Sequence, residues 1–287
     1  MSAERTTPHP PTLAAVARAQ TRLILGRKPR RMMIALGIVV AQLVAAAAGG
    51  VLFGVSISGG QDQPTRVLWT KVSDFADDLG FALDEGAAAV AIAGFAAFLW
   101  AFFWPFRVWR GEPPQKRGYH WAMPIERRLH DLLRVAAGLA LLPVIVAIFA
   151  VVAVATAAMS GHTAVFPSWG GLFWLDLFAA PLVIYLLVSI PVVGSRHPVA
   201  WLWGTVGVCA ALVSLLQAVG LIGLLAPVAH LFLGRFGLFT TLGGPIVSEI
   251  AGRGSYPVGP WSLAWLCWLA FAAAGVWLAA SRRHRSI

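Results

Sequence analysis

Residues 107–134 read RVWRGEPPQKRGYHWAMPIERRLHDLLR, a basic, proline-broken segment between two long apolar runs. Seven Lys and Arg residues stand against three acidic residues in this segment, and an excess of Lys and Arg beside a membrane span favours the cytoplasmic side. Pro113 and Pro114 end any helix that enters the segment, whereas Pro124 suits the first turn of a new helix, where no N–H partner is needed. The sequence therefore predicts a cytoplasmic loop, 105–134, in which a second helix begins near Pro124.

This second helix is predicted to be amphipathic and to lead into a membrane span. Its apolar residues recur at helical spacing and its charged residues take the opposite face. The apolar positions are Ile125, Leu129, Leu132, Leu133 and Ala136, and the charged positions are Arg127, Arg128, Asp131 and Arg134.

Two interpretations of the loop remain open. In the first, it is a solvated connector whose charges only fix the orientation of the chain. In the second, it is a docking surface for a soluble partner, because aromatic and thioether side chains beside arginines are typical anchors of interfaces. Those side chains, Tyr119, His120, Trp121 and Met123, would equally suit contact with lipid headgroups.

The composition places the chain in the membrane class. Hydrophobic residues make up 59% of the 287 residues and charged residues 12%. The apolar residues fall in runs of about twenty or more, the length that a helix needs to cross a bilayer. We therefore predict an all-α, polytopic helical membrane protein. The net charge of +10 flanks apolar runs, where anionic lipid and topology explain it, so nucleic acid is excluded as a partner.

Six apolar runs predict six transmembrane helices, which we number spans 1 to 6. They cover residues 32–58, 86–104, 135–159, 171–193, 201–225 and 261–280. With the segments between them they form one transmembrane domain, 32–281, followed by a cytoplasmic tail, 282–287. Pro143 is expected to kink span 3 without ending it, because neighbouring helices can satisfy the freed backbone groups.

A shorter amphipathic helix is predicted over residues 12–25, within the cytoplasmic segment 1–31. Thr12 can cap this helix, and its apolar residues share one face. The helix is too polar to span and is followed by basic residues, so we expect it to lie at the inner leaflet against lipid. The loop 59–85, between spans 1 and 2, is acidic and is expected on the outer face.

Residues 226–260 are apolar but interrupted, and we predict that they do not cross the membrane. The interruptions are Pro227, His230, Arg235, Gly243, Gly244, Pro245 and Glu249. Backbone that turns within a membrane has to be buried in protein or face water. Two re-entrant half-helices, 228–233 and 246–250, are therefore predicted before the last span.

The distribution of Lys and Arg agrees with six spans and two cytoplasmic termini. Seven of the 22 precede span 1, seven lie in 107–134, one is Arg196, and three follow span 6. Only Arg66, Lys71, Arg235 and Arg253 fall on the outer side. A seventh span would place the basic C-terminal tail outside, against the positive-inside rule.

Few polar residues lie within the predicted spans. Asp176, Gln42 and Gln217 are the candidates, and an intramembrane carboxylate is a functional hypothesis by default, although Asp176 is equally explained as a structural hydrogen-bonding residue. No nucleotide-binding or hydrolase motif is present. Cys209 and Cys267 have no CxxC or neighbouring His, so we predict no metal site and expect both in the core. The sequence therefore does not predict an enzyme.

The order of these parts resembles the permease subunits of ABC transporters of the ABC-2 type. The shared features are a helix before span 1, six spans with cytoplasmic ends, a charged helix between spans 2 and 3, and half-helices before the last span. The text WPFRVWRGEPPQKRGYHWAMPIERRLHDLLRVAAG, residues 104–138, also looks like the corresponding loop of bacterial members. The acidic outer loop is longer than the family pattern.

The resemblance implies ATP-driven transport, with export as the expected direction, in a bacterial inner membrane. In the family, the loop between spans 2 and 3 docks on a separate cytoplasmic ATP-binding subunit, which carries the ATP and Mg, so no cofactor is expected on this chain. The residues implied in coupling are Tyr119, His120, Trp121, Met123, Pro124, Ile125, Glu126, Arg127, Arg128, His130 and Asp131. A second copy of the permease is also implied, and Ala46, Gly50 and Gly54 of span 1 would allow close helix contact.

Two other functional classes remain open. A structural or assembly subunit of another membrane complex would have the same topology and the same basic inner face. A membrane-embedded enzyme would need convergent His, Asp, Glu or Ser residues deep in the spans, and these are scarce.

Overall fold

The computed structural model describes residues 12–26, 37, 85–109, 126–159, 170–195, 197–218, 223, 226–250 and 256–283. All regular secondary structure in these ranges is helical, as the sequence predicts. The helices are α1 (Leu13–Gly26), α2 (Glu85–Trp109), α3 (Arg127–Met159), α4 (Gly171–Gly194), α5 (Pro198–Ala218), α6 (Ala226–Leu233), α7 (Leu238–Ile250) and α8 (Val258–Arg283). Most of predicted span 1 and of the outer loop 59–85 lies outside the described residues.

Three of these helices are long and apolar enough to cross a membrane. The qualifying segments are Arg128–Ala155 in α3, Gly171–Gly194 in α4 and Val258–Arg282 in α8. They contain most of predicted span 3 and all of predicted spans 4 and 6. Helices α2 and α5 occupy the positions of predicted spans 2 and 5.

Several boundaries differ from the sequence predictions. Helix α2 continues through Pro105 to Trp109, and the helix expected near Pro124 begins at Arg127 and runs unbroken into span 3. Pro143 lies inside α3 without ending it, as expected. Thr12 caps α1 as predicted, because its Oγ1 accepts a hydrogen bond from the Ala15 N–H at 3.3 Å.

Helix α4 is the centre of the bundle. Its apolar segment is 67% buried, whereas that of α8 is 22% buried, and a helix that is apolar on all sides packs well only at a centre. Helices α2, α3, α7 and α8 pack around it, while α5 touches it along a smaller surface. Helices α2 and α3 form an antiparallel pair, and α1 packs on α3.

Close packing of α2, α3 and α4 depends on Gly138. A Cβ atom at this position would collide with the Tyr185 hydroxyl group and approach Val108 Cγ2 to 3.0 Å. Two hydrogen bonds join the same crossing: Trp104 Nε1 donates to the Gly138 carbonyl oxygen at 3.0 Å, and Tyr185 Oη donates to the Val135 carbonyl oxygen at 3.0 Å. The missing side chain therefore allows three helices to meet at one point.

The two predicted half-helices correspond to α6 and α7, but α7 is longer than predicted. It begins at Leu238 and passes through Gly243, Gly244 and Pro245, which were expected to interrupt it. Pro245 has no N–H, so the carbonyl group of Thr241 loses its donor in the helix. Trp261 Nε1 of α8 donates to that carbonyl oxygen at 2.9 Å, which explains why the helix continues.

Both cysteines expected in the core are exposed in the single chain. Cys209 lies on α5, where Trp203 and Val208 are also exposed, and Cys267 lies on the outer side of α8 beside the exposed Leu266. An apolar surface of this kind suits contact with lipid or another membrane chain. The expectation was wrong because apolar surroundings in the sequence do not distinguish a core from a membrane.

Replacing Gly138 by Ala should destabilise the bundle. The added methyl group forces Tyr185 away from the Val135 carbonyl group, and overpacking of this kind costs about 1–3 kcal/mol. Gly204→Ala on α5 is the matched control, because a Cβ atom there meets nothing within 4 Å. Thermal unfolding of both variants in the same detergent measures the difference. Equal melting temperatures for the two variants would contradict the proposed close crossing.

Candidate functional site

The first polar site is the end of the bundle where α2 ends and α3 begins, which we call the Arg134 end. Arg134 Nε and Nη2 donate to the Val108 carbonyl oxygen at 3.1 and 2.7 Å. This carbonyl group lies in the last turn of α2, where no intrahelical donor is available. The Arg134 guanidinium carbon also lies 4.8 Å from the Trp109 ring centroid. Arg134 therefore caps α2 and fixes it to α3.

Helix α1 joins the same end through a buried polar contact. Gln20 Nε2 lies 2.7 Å from His130 Nε2, a hydrogen bond between the two side chains. His130 Nδ1 lies 3.8 Å from Asp131 Oδ1. Gln20, His130 and Asp131 are all buried. A polar contact buried in this way orients α1 on α3.

The C-terminal part of α8 also reaches the Arg134 end. The Arg128 guanidinium carbon lies 4.0 Å from the Trp277 ring centroid, a distance at which cation–π attraction operates. Gly194, at the end of α4, faces Ala279 of α8. The N-terminal helix and the end of the last helix therefore lie at the same end of the bundle.

The charged face predicted for the start of α3 does not lie in solvent. Asp131 and Arg134 are buried and Arg128 is half-buried, whereas Glu126, just before the helix, is exposed. This burial was not predicted, because it arises from α1 and the end of α2, which cover this face with hydrogen-bonding groups of their own. Periodicity separates polar from apolar positions, but it does not reveal a polar neighbour.

Many predicted site residues lie outside the described residues. They are Tyr119, His120, Trp121, Met123, Pro124 and Ile125 of the loop, and Gln42, Ala46, Gly50 and Gly54 of span 1. For Arg127 and Gln217 only the helical backbone, in α3 and α5, is described. The roles assigned to these residues stay predictions.

The second polar site surrounds Asp176, in the second turn of α4. Its side chain is fully buried, and neither carboxyl oxygen has a hydrogen-bond partner among the described residues. Thr241 of α7 is 1% exposed, and its hydroxyl group also lacks a partner there. The indole of Trp261 is the polar neighbour of Asp176, but its N–H donates to the Thr241 carbonyl oxygen.

Thr241 and Trp261 were not predicted from the sequence as site residues. Pro245 was the available signal, because it stands four residues after Thr241 and removes the donor of that carbonyl group. The described residues contain no group of three or more His, Cys, Asp or Glu that could hold a metal ion.

Arg134→Met should loosen the α2–α3 pair, because it removes two charge-assisted hydrogen bonds and leaves the Val108 carbonyl group without its donors. A destabilisation of about 2–4 kcal/mol is expected from such a buried change. The stability of Arg134→Lys should lie between those of the unmodified protein and Arg134→Met, since an ammonium group lacks the paired N–H geometry. Arg282→Met, at an exposed arginine, is the control. Thermal unfolding in detergent ranks the variants, and equal stability of Arg134→Met and Arg282→Met would contradict the capping role.

The chain was compared with protein-family models, with curated proteins and with solved structures. None of the three comparisons gives a match. A function is therefore inferred from the sequence and from the geometry of the two polar sites.

Proposed function

We propose that this chain is the membrane-spanning permease subunit of an ATP-driven transporter of the ABC-2 type, with six spans, working as an exporter. It couples to a separate ATP-binding subunit, which holds ATP and Mg, through the loop between spans 2 and 3. The observation that carries the proposal is the continuity of α3, which joins the charged end of that loop to an apolar span as a single helix, Arg127–Met159.

The length of α3 fits a lever. With 33 residues and a rise of 1.5 Å per residue, it is about 50 Å long, whereas the hydrocarbon core of a bilayer is about 30 Å thick. An extension of roughly 20 Å can therefore project beyond the core when the helix stands upright. A force applied at Arg127 would reach the membrane without passing through a flexible joint.

The contacts at the Arg134 end would distribute this force. Arg134 fixes α2 to α3, the Gln20–His130 contact fixes α1, and Arg128 contacts Trp277 of α8. A displacement of the first turn of α3 would thus move three further helices. This arrangement suits a subunit that converts closure of a soluble partner into movement of its spans.

The Arg134 end is the cytoplasmic end in this proposal, with the chain in the bacterial inner membrane and both termini inside. Helix α1 and the end of α8 share that end, as an even number of spans requires. The described arginines there outnumber the acidic residues, in agreement with the positive-inside rule. They are Arg18, Arg107, Arg128, Arg134 and Arg282, against Glu126 and Asp131. A second permease copy, in contact through span 1, would complete the transporter.

Reversing Arg127 and Arg128 to Glu should abolish retention of the ATP-binding partner while leaving membrane insertion intact. Disrupting one charge pair at an interface costs on the order of 2–5 kcal/mol, and the whole binding free energy of a micromolar complex is only about 8 kcal/mol. Insertion should survive because the remaining inner arginines still fix the orientation. The measurements are co-purification of a chain with a Walker motif and ATP hydrolysis by the purified complex.

The control separates docking from the contact that Arg128 makes within the chain. Trp277→Leu removes the ring beneath the Arg128 guanidinium group but leaves both charges in place. We expect this variant to retain the partner and its ATPase activity. If the double reversal also retains both, or if no ATP-binding chain accompanies the unmodified protein, the permease assignment is wrong and a subunit of another membrane complex becomes the better account.

A further inference from the structure

The site around Asp176 lies at the end of the bundle opposite Arg134 and takes no part in the proposed coupling. Asp176 stands nine residues before Tyr185, about 14 Å away along α4 at 1.5 Å per residue. Tyr185 bonds to α3 near Arg134, whereas Asp176 lies beside Trp261 of α8, which bonds to α7. Any role of this carboxyl group is thus separate from docking of an ATPase.

An ionised carboxylate is far more costly to bury without a partner than a neutral carboxylic acid. Asp176 is 0% exposed, and both of its oxygens lack a hydrogen-bond partner among the described residues. The indole N–H of Trp261, the polar neighbour of Asp176, donates to the Thr241 carbonyl oxygen. The surroundings therefore favour the form of Asp176 that carries a proton.

No described cation takes the place of that proton. The ionisable side chains described on α2 and α3 lie at the Arg134 end, and those on α5 and α8 are exposed. They are Arg107, Arg128, His130, Asp131 and Arg134, then Cys209, Cys267 and Arg282. His230 of α6 and Arg235, between α6 and α7, are both exposed, and Arg235 acts on Tyr256. Helix α7 has no ionisable side chain in its described part, Leu238–Ile246.

Tyr256, just before α8, is the ionisable neighbour of Asp176. Burial is the main cause that raises the pKa of the Tyr256 phenol; Asp176 would add to this effect only when ionised, and Arg235 acts in the opposite direction. Tyr256 Oη donates to the Thr240 carbonyl oxygen of α7 at 3.3 Å. It is a neutral hydroxyl group at neutral pH and supplies no positive charge to Asp176.

Helix α7 packs against α4 and is bonded to Trp261, the polar neighbour of Asp176. Its link to α8 near the carboxyl group is the Trp261–Thr241 bond, which compensates for Pro245. Helix α6, on its other side, packs against α7 and is largely exposed. Separation of α7 from α4 and α8 would admit water to Asp176, and water stabilises the ionised carboxylate.

We propose that Asp176 is a proton-binding site whose occupancy is linked to the position of α7. In the closed arrangement described here the carboxyl group holds its proton. When α7 separates, the O–H bond breaks, the proton passes to water, and the carboxylate remains, solvated. Protons thus bind preferentially to the closed arrangement, so rising pH favours the open one. This inference goes beyond the proposed function, because it concerns the chain without any ATPase.

The first test is infrared spectroscopy of the purified chain in lipid nanodiscs at neutral pH. The unmodified protein should show the C=O stretch of a protonated carboxylic acid, and Asp176→Asn should lose that band. Asp131→Asn, at the opposite end, is the control and should keep it. An unmodified protein without the band, or an Asp176→Asn variant that retains it, would overturn the proposal. The measurement on the unmodified chain needs no variant to fold.

The second test measures movement of α7. In a chain with Cys209 and Cys267 replaced by Ser, Thr241→Cys should react with a thiol reagent increasingly as pH rises, because the buried position becomes accessible. When the same chain also carries Asp176→Asn, the side chain at position 176 stays neutral at every pH. Labelling at position 241 should then rise with pH only because the thiol itself ionises. Equal pH dependence with Asp176 and with Asn would show that α7 does not respond to this proton and would overturn the linkage. Both tests omit the ATPase, so their failure leaves the Arg127 and Arg128 experiment unaffected.

Discussion

The bundle depends on hydrogen-bond donors for certain backbone carbonyl groups. These groups lack a donor within their own helix or can accept a further hydrogen bond, and in apolar surroundings water cannot supply it. Side chains of neighbouring helices provide these donors. Arg134 bonds to the last turn of α2, Trp104 to the carbonyl group of Gly138, and Trp261 to the carbonyl group freed by Pro245. Each bond satisfies a backbone group and joins two helices, so helix ends and prolines become the points at which the bundle is held together.

The same requirement distinguishes the two ends of the bundle. At the Arg134 end, the bonds of Arg134, the Gln20–His130 contact and the Arg128–Trp277 contact tie α1, α2 and α8 to the first turns of α3. Near Asp176 the backbone is satisfied, but a carboxyl and a hydroxyl group are left without partners among the described residues. Contacts that join several helices suit the proposed transmission of force, and a buried carboxyl group without a described partner suits the proposed reversible binding of a proton.

The sequence predicts the helices better than their surroundings. Apolar runs and prolines locate α3, α4 and α8, and Thr12 marks the start of α1, because these signals are local. The burial of Asp131 and Arg134 could not be predicted, since it depends on Gln20 and on the Val108 carbonyl group in other helices. The continuity of α7 through Pro245 likewise depends on Trp261, and the exposure of Cys209 depends on what surrounds the chain.

The central claim is that the first turn of α3 contacts an ATP-binding subunit. Site-specific photo-cross-linking in intact membranes tests it most directly, with the cross-linker placed either at Arg127 or at the exposed Val154 near the other end of the same helix. The account predicts that position 127 captures a chain with a Walker motif, that a non-hydrolysable ATP analogue changes the yield, and that position 154 captures no such chain. Capture of lipid alone at position 127 would contradict it.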